Sequence, residues 1–239
     1  MLNRKTNLKI RKAHRYLGII IGIQFIFWTI SGLYFSWTNL DEIHGDHLKN
    51  LNYEPKPFTD LISPSEIDMD GNISSIELRD IDNAPYYWVN RTQLYNARDG
   101  KPKDGVTEEE ALSIAKRHLI DDLEIESVER INETGKHHEY RERLLPAFVI
   151  NYKTNDNVKA YVSVKDGKFQ AVRHRSWRWF DFLWMTHTMD YEGRDNFNTT
   201  VLRVFSLMGL ITVLSGFLLA FVSSRTLGKL SRKFLLGKR

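Results

Sequence analysis

The chain contains no cysteine. Disulfides, iron–sulfur clusters and thiolate zinc sites are therefore excluded. It also lacks Gly-x-Ser-x-Gly, His-Glu-x-x-His and a glycine-rich phosphate loop. The usual signatures of serine hydrolases, zinc peptidases and nucleotide-binding enzymes are thus missing. The one dense acidic run, Glu108 to Glu110, opens a predicted helix. Carboxylates are favoured there by the macrodipole and need no catalytic role. Acid is absent from two whole stretches. Residues 1–15 carry six Lys and Arg and no Asp or Glu, and residues 223–239 carry six more, again with no acid.

Long apolar runs are present instead. The mean hydropathy of −0.40 averages over them. Leu17 to Trp37 has no charged residue, and Val201 to Val222 has only Arg203. About 20 apolar helical residues cross a hydrocarbon core about 30 Å thick. Phe, Tyr and Trp crowd the end of the first run, where a signal peptide would carry small residues for cleavage, so it reads as a retained anchor. Lysine and arginine flanking spans stay cytoplasmic. Both tails are then expected inside, with about 160 residues outside. The tails hold twelve positive charges against a whole-chain net of +4, so the residues between them carry a net −8. The isoelectric point near 9.1 thus reports membrane topology and a lipid partner, not nucleic acid.

The predicted organisation is α+β. A basic tail at 1–15 precedes a transmembrane helix at 16–38 and a linker at 39–63. An extracytoplasmic sheet-plus-helix domain follows at 64–175, then an interfacial aromatic segment at 176–198. A second transmembrane helix at 199–222 and a basic tail at 223–239 complete the chain. Inside the domain, "SSIELRD", "YYWVN" and "TQLYNARDGKP" read as strands separated by turn formers. "VTEEEALSIAKRHLIDD" reads as a helix, with Thr107 as N-cap and Glu110 completing a capping box. "ESVERIN", "AFVINYK" and "KAYVSVKDGKFQAVRH" read as further strands, with Asp166-Gly167 a hairpin turn. One sheet and one helix are expected. "SWRWFDFLWMTH" is predicted to form an amphipathic helix, because tryptophan prefers the membrane–water interface.

"GVTEEEALSIAKRHL…YVSVKDGKFQAV" resembles the PepSY domain: a capped helix with an Ala-rich face, followed by strands and an Asp-Gly turn. "RKAHRYLGIIIGIQFIFWTISGLY" and "MTHTMDY…LMGLITVLSGFLLAF" resemble PepSY-associated transmembrane segments, with a Ser/Thr-Gly pair in the span. The resemblance covers most of residues 10–222. It implies a bacterial inner-membrane protein linked to iron or siderophore uptake. Larger relatives resemble ferric reductases holding haem b between four helices; this chain has two spans.

Histidines are the candidate ligands for haem b or a transition metal, His187 and His14 foremost. His14 shares a helical face with Gly18 and Gly22. A macrocycle can lie on that bare face with His14 on the iron. Alternatively, Gly18-x-x-x-Gly22 packs a second helix and His14 is a basic flank. His44 and His47 share a face if the first helix continues outward, and with His187 they would cluster at the outer edge of the membrane. Asp41, Glu42, Asp46 and Asp190 are candidate acceptors that would orient the imidazoles. The other reading of His44 and His47 is a solvated acidic linker. His187, between Met185 and Met189, is either a ligand or an interfacial anchor. His118, His137, His138 and His174 read as structural or surface groups. Both spans carry Ser-Gly, at Ser31-Gly32 and Ser215-Gly216, where close helix packing is possible. A homodimer would rebuild four helices with His14 and His187 supplied twice; another membrane protein is the alternative partner. Two functions follow. One is haem-linked electron transfer to ferric iron or a ferric siderophore. The other is a non-enzymatic PepSY module that binds a peptidase, sensor or uptake receptor.

Overall fold

The computed structural model describes residues 4–223. The second basic tail therefore lies, from Ser224 onward, outside the described residues. The chain divides into two compact units: Thr38–Asp181, and the described parts of Met1–Trp37 and Phe182–Arg239.

The Thr38–Asp181 unit holds two antiparallel sheets of four strands where one was expected. The first contains β1 (Ile76–Ile81), β2 (Ala84–Val89), β3 (Gln93–Asn96) and β4 (Pro102–Lys103), in that spatial order. The second contains β5 (Ile125–Ile131), β6 (Ala147–Tyr152), β7 (Lys159–Ser163) and β8 (Phe169–Arg173), also in order. Local turn chemistry explains the split. Asp82-Asn83 and Asn90-Arg91 each put two residues at positive φ, the geometry that closes tight hairpins. Each strand therefore pairs with its chain neighbour.

The helix α3 (Glu108–His118) follows the first sheet and carries the expected capping box. Thr107 Oγ1 accepts from the Glu110 N–H at 3.3 Å, and Glu110 Oε2 accepts from the Thr107 N–H at 2.8 Å. Its buried face, Ala111, Ile114 and Ala115, joins Phe148, Ile150, Ala160, Val162 and Val172 in the main core. Burying a side chain such as Ile114 contributes about 1.5–3 kcal/mol. His118, at the helix end, lies between Tyr53 and Phe169, with ring centroids 4.3 and 5.0 Å away.

The first helix, α1 (Arg4–Trp37), does not continue past Trp37. Asn39 caps a separate turn, α2 (Leu40–Ile43), and Gly45 at φ +79° redirects the chain into a 3-10 turn at Asp46–Leu48. His44 and His47 therefore sit on different elements and share no continuous helical face. Lys49 then bridges to Leu119, so this start of the expected linker is held against the sheet unit.

The unit ends inside α4 (Arg175–Thr188), the expected aromatic helix. A half-buried polar clamp fixes its first turns. Arg178 Nε donates to Glu139 Oε2 at 2.6 Å, and the Tyr161 hydroxyl donates to Glu139 Oε1 at 2.5 Å. Arg141 pairs with Asp181 at 2.7 Å. Burial works to raise the Glu139 carboxyl, but the bonds from Arg178 and Tyr161 outweigh it and hold the group below its ordinary value.

The second unit contains α1, α4 from Phe182 onward, and α5 (Thr200–Ser223). Leu8–Trp37 and Thr200–Phe221 are each long and apolar enough to cross a membrane. Their outer faces are bare: Ile20 is 63% exposed and Phe217 70%.

Two predictions test this description. Gly105 sits at φ +81°, and an added Cβ would lie 2.7 Å from the Val164 carbonyl oxygen, a backbone atom. Gly105→Ala is expected to cost about 1–3 kcal/mol, read as a lower melting temperature. His174 is buried and donates from Nε2 to the Ile43 carbonyl at 3.2 Å. Burial pushes its pKa below the ordinary value, so the unfolded chain takes up the proton first. The neutral ring's contribution is full above about pH 6.5 and is lost as the pH falls. The melting temperature should drop between pH 7.5 and 5.5, and drop less in His174→Gln.

Candidate functional site

Two histidines of the helical unit have the same surroundings. His14 comes from the second turn-pair of α1 and meets α5. Its Nδ1 lies 2.7 Å from Ser215 Oγ. His187 comes from the last turn of α4 and meets α1, with Nδ1 2.8 Å from Ser31 Oγ. Each serine is followed by a glycine on which the ring rests. A Cβ at Gly216 would lie 3.3 Å from His14 Cε1, and one at Gly32 would lie 3.5 Å from His187 Cε1. A larger residue at Gly216 would push the imidazole away from its serine.

The serine hydrogens bear on the tautomer. Ser215 Oγ donates its only hydrogen to the Thr212 carbonyl at 2.8 Å. Ser31 Oγ donates its own to the Trp28 carbonyl at 2.9 Å. Serine hydroxyls commonly bond back to the preceding turn in this way. A hydrogen given to the carbonyl leaves each oxygen as an acceptor for an imidazole protonated on Nδ1, whereas one given to Nδ1 serves the opposite tautomer. In the first arrangement Nε2 holds a free lone pair. Among the described residues, neither Nε2 has a hydrogen-bond partner. A histidine that donates from Nδ1 to a neighbour has Nε2 available as an acceptor.

Aromatic rings shield His187. Trp28 stacks on it at 4.8 Å with a 17° interplanar angle, and Phe35 meets it edge-on at 5.4 Å. Nearby, Gln24 Nε2 donates to the Thr186 carbonyl at 3.1 Å. This gives a polar group of the first span an internal partner, as apolar surroundings require.

The two rings lie on one side of α1. Gly32, beneath His187, is eighteen residues beyond His14, or about five full turns and about 27 Å along the axis. Between these levels α1 and α5 enclose an apolar cleft of about 430 Å³, bordered by Gly18, Gly22, Phe25, Trp28, Phe205 and Gly209. A Cβ at Gly18, Gly22 or Gly209 would meet nothing within 4 Å.

Two of the four acidic residues expected to orient the imidazoles, Asp190 and Asp46, do other work. Asp190 accepts from the backbone N–H groups of Gly193 at 3.1 Å and Asn196 at 2.8 Å, shaping the loop before α5. Asp46 pairs with Lys49 at 2.8 Å. The serines take the orienting role. Their Ser-Gly repeat was visible in the sequence, but their histidine partners stand 201 and 156 residues away, beyond any spacing rule. His44 and His47 are exposed. His47 meets the buried His174 edge-on at 5.2 Å, a histidine that sequence reading left among structural groups.

Among the described residues no three His, Asp or Glu side chains converge on a metal position. His14 and His187 each offer one nitrogen. That donor set fits haem, whose macrocycle supplies four nitrogens and asks the protein only for axial ligands.

Comparison with protein-family models, curated proteins and solved structures returned no match.

The tautomer is directly measurable. In ¹⁵N spectra of histidine-labelled protein at pH 8, His14 and His187 should show protonated Nδ1 and bare Nε2. Ser31→Ala should mix the tautomers of His187 alone, consistent with a bond worth about 1 kcal/mol.

Proposed function

We propose that this is a membrane haem protein that carries electrons toward ferric iron or a ferric chelate, with the PepSY-like sheet unit outside the cytoplasmic membrane and the basic tails inside. The matched histidine–serine pairs carry the reading. Each sets an imidazole in the tautomer that ligates iron through Nε2, within apolar helices that need a lipid solvent. Haem b would supply a one-electron carrier cycling between ferric and ferrous states. The chain's part is to bind and tune it. Ser31 and Ser215 orient the rings and raise their basicity. Trp28 and Phe35 keep water from His187, and apolar surroundings of this kind adjust the potential of a bound iron. The bare outer faces of α1 and α5, the uncharged run Leu17 to Trp37 and the acid-free basic flanks support a cytoplasmic-membrane location.

A second reading makes the sheet unit a docking module. A pocket of about 200 Å³ bordered by Lys103, Arg130 and Lys165, with one acid, Asp104, favours it, since three cations against one acid suit an acidic peptide segment. Lys103 is already paired with Glu110 at 3.0 Å, which leaves two cations to recognise such a segment.

The deciding measurement is the optical spectrum of detergent-purified protein from cells supplied with haem precursor, oxidised and then reduced with dithionite. A Soret band with sharp reduced α and β bands is expected. His187→Ala should weaken them, and Ser31→Ala should loosen haem by about 10- to 100-fold. A colourless protein would reject the haem reading and leave the docking module.

A further inference from the structure

The cleft between α1 and α5 is graded from polar to bare. Counting from the His14–Ser215 contact, Trp28 of α1 lies near the level of Val201 of α5. Trp28, Arg203 and Ser206 therefore share one end, and Gly22, Gly209 and Gly18 run toward the other. Arg203 stands one turn before Ser206 on the same helical face. Its side chain is exposed and has no ion-pair or hydrogen-bond partner among the described residues.

Two donors at that end also lack an acceptor. Thr212 and Ser215, on the same helix, each bond back to a carbonyl of the preceding turn. The Ser206 hydroxyl does not, and the Trp28 indole N–H has no acceptor among the described residues. Within lipid no water satisfies such groups, so they call for a partner.

Width decides what the bare part can hold. Gly18 to Trp28 covers about 15 Å of helix, so a cleft of about 430 Å³ has a mean width of about 6 Å. A second helix with its side chains needs about 10–12 Å. An extended alkyl chain, whose carbons stand about 4 Å from their neighbours, fits. The floor is open to it, since a Cβ at Gly18, Gly22 or Gly209 would meet nothing within 4 Å.

We infer that the cleft binds one anionic phospholipid, with an acyl chain along the glycine floor, an ester carbonyl accepting from Trp28 Nε1 and Ser206 Oγ, and the phosphate paired with Arg203. Charge complementarity selects this occupant, because an uncharged isoprenoid would leave Arg203 unpaired. The proposal goes beyond the haem reading: it needs α1 and α5 to lie in a bilayer and does not need haem. Trp28 also stacks on His187 at 4.8 Å, so the lipid site and that imidazole share a wall.

The test uses full-length protein, stripped of lipid by detergent exchange, and native mass spectrometry. The probes are phosphatidylglycerol and phosphatidylcholine with identical acyl chains. One phosphatidylglycerol per chain is expected, bound about 5-fold more tightly than phosphatidylcholine, the worth of one arginine beside an anionic lipid. Arg203→Gln should remove that preference while leaving weaker binding of both lipids. Gly22→Leu should fill the floor and abolish binding of both, with the melting temperature of the lipid-free protein unchanged because the added side chain enters open space. Equal retention of the two lipids, a preference that survives Arg203→Gln, or a two-chain mass that Gly22→Leu converts to one chain would overturn the inference. The last result would make a second copy the occupant. Haem content does not enter the readout, so the haem reading stands or falls separately.

Discussion

The arrangement of the helical unit depends on how a serine in an apolar helix disposes of its one hydrogen. With no water to satisfy it, the hydroxyl bonds to its own backbone one turn earlier, as Ser31 does with Trp28 and Ser215 with Thr212. The oxygen is left as an acceptor. A histidine brought against it can then donate from Nδ1, which leaves Nε2 as its basic nitrogen. The glycine after each serine completes the device by leaving room for the ring. A carboxylate in place of the serine would orient the ring equally well, but it would bring a charge that a bilayer interior penalises. Serine does the same work while neutral.

The helix lengths bear on where these devices sit. His14 against Ser215 fixes the antiparallel register of α1 and α5. Counting from that pair, Thr200 lies near the level of Thr29, so the rest of α1 extends beyond α5. Leu8–Trp37 has 30 residues and Thr200–Phe221 has 22, roughly 45 and 33 Å at about 1.5 Å per residue. The shorter helix matches a hydrocarbon core of about 30 Å. The overhang of α1, which bears Phe35, is the part that His187 and Trp184 cover. Aromatic residues at that level are what a membrane–water boundary selects.

Much of this was legible in the sequence because it is local. Apolar length marks α1 and α5. Thr107 and Glu110 mark the start of α3, and Asp166-Gly167 marks the last hairpin. The division of eight strands into two sheets was not, because strand patterns show which face is buried and not which strands pair. Nor was the break after Trp37: it depends on Asn39 capping a new turn and on Gly45 at positive φ. The serine partners of His14 and His187 were out of reach for a stronger reason. Their contacts are made by helix register, and register is set by the packing of whole faces.

The polar clamp on α4 shows what the sheet unit contributes. Buried ion pairs such as Arg141–Asp181 add little net stability compared with well-packed apolar residues. They do discriminate strongly against wrong arrangements, because a slipped helix would leave Arg141 or Glu139 buried without its partner, a loss of about 3–5 kcal/mol. The aromatic residues of α4 could pack acceptably in several registers, since Trp and Phe tolerate sliding along an apolar surface. Glu139, bonded at once to Arg178 and Tyr161, permits only one.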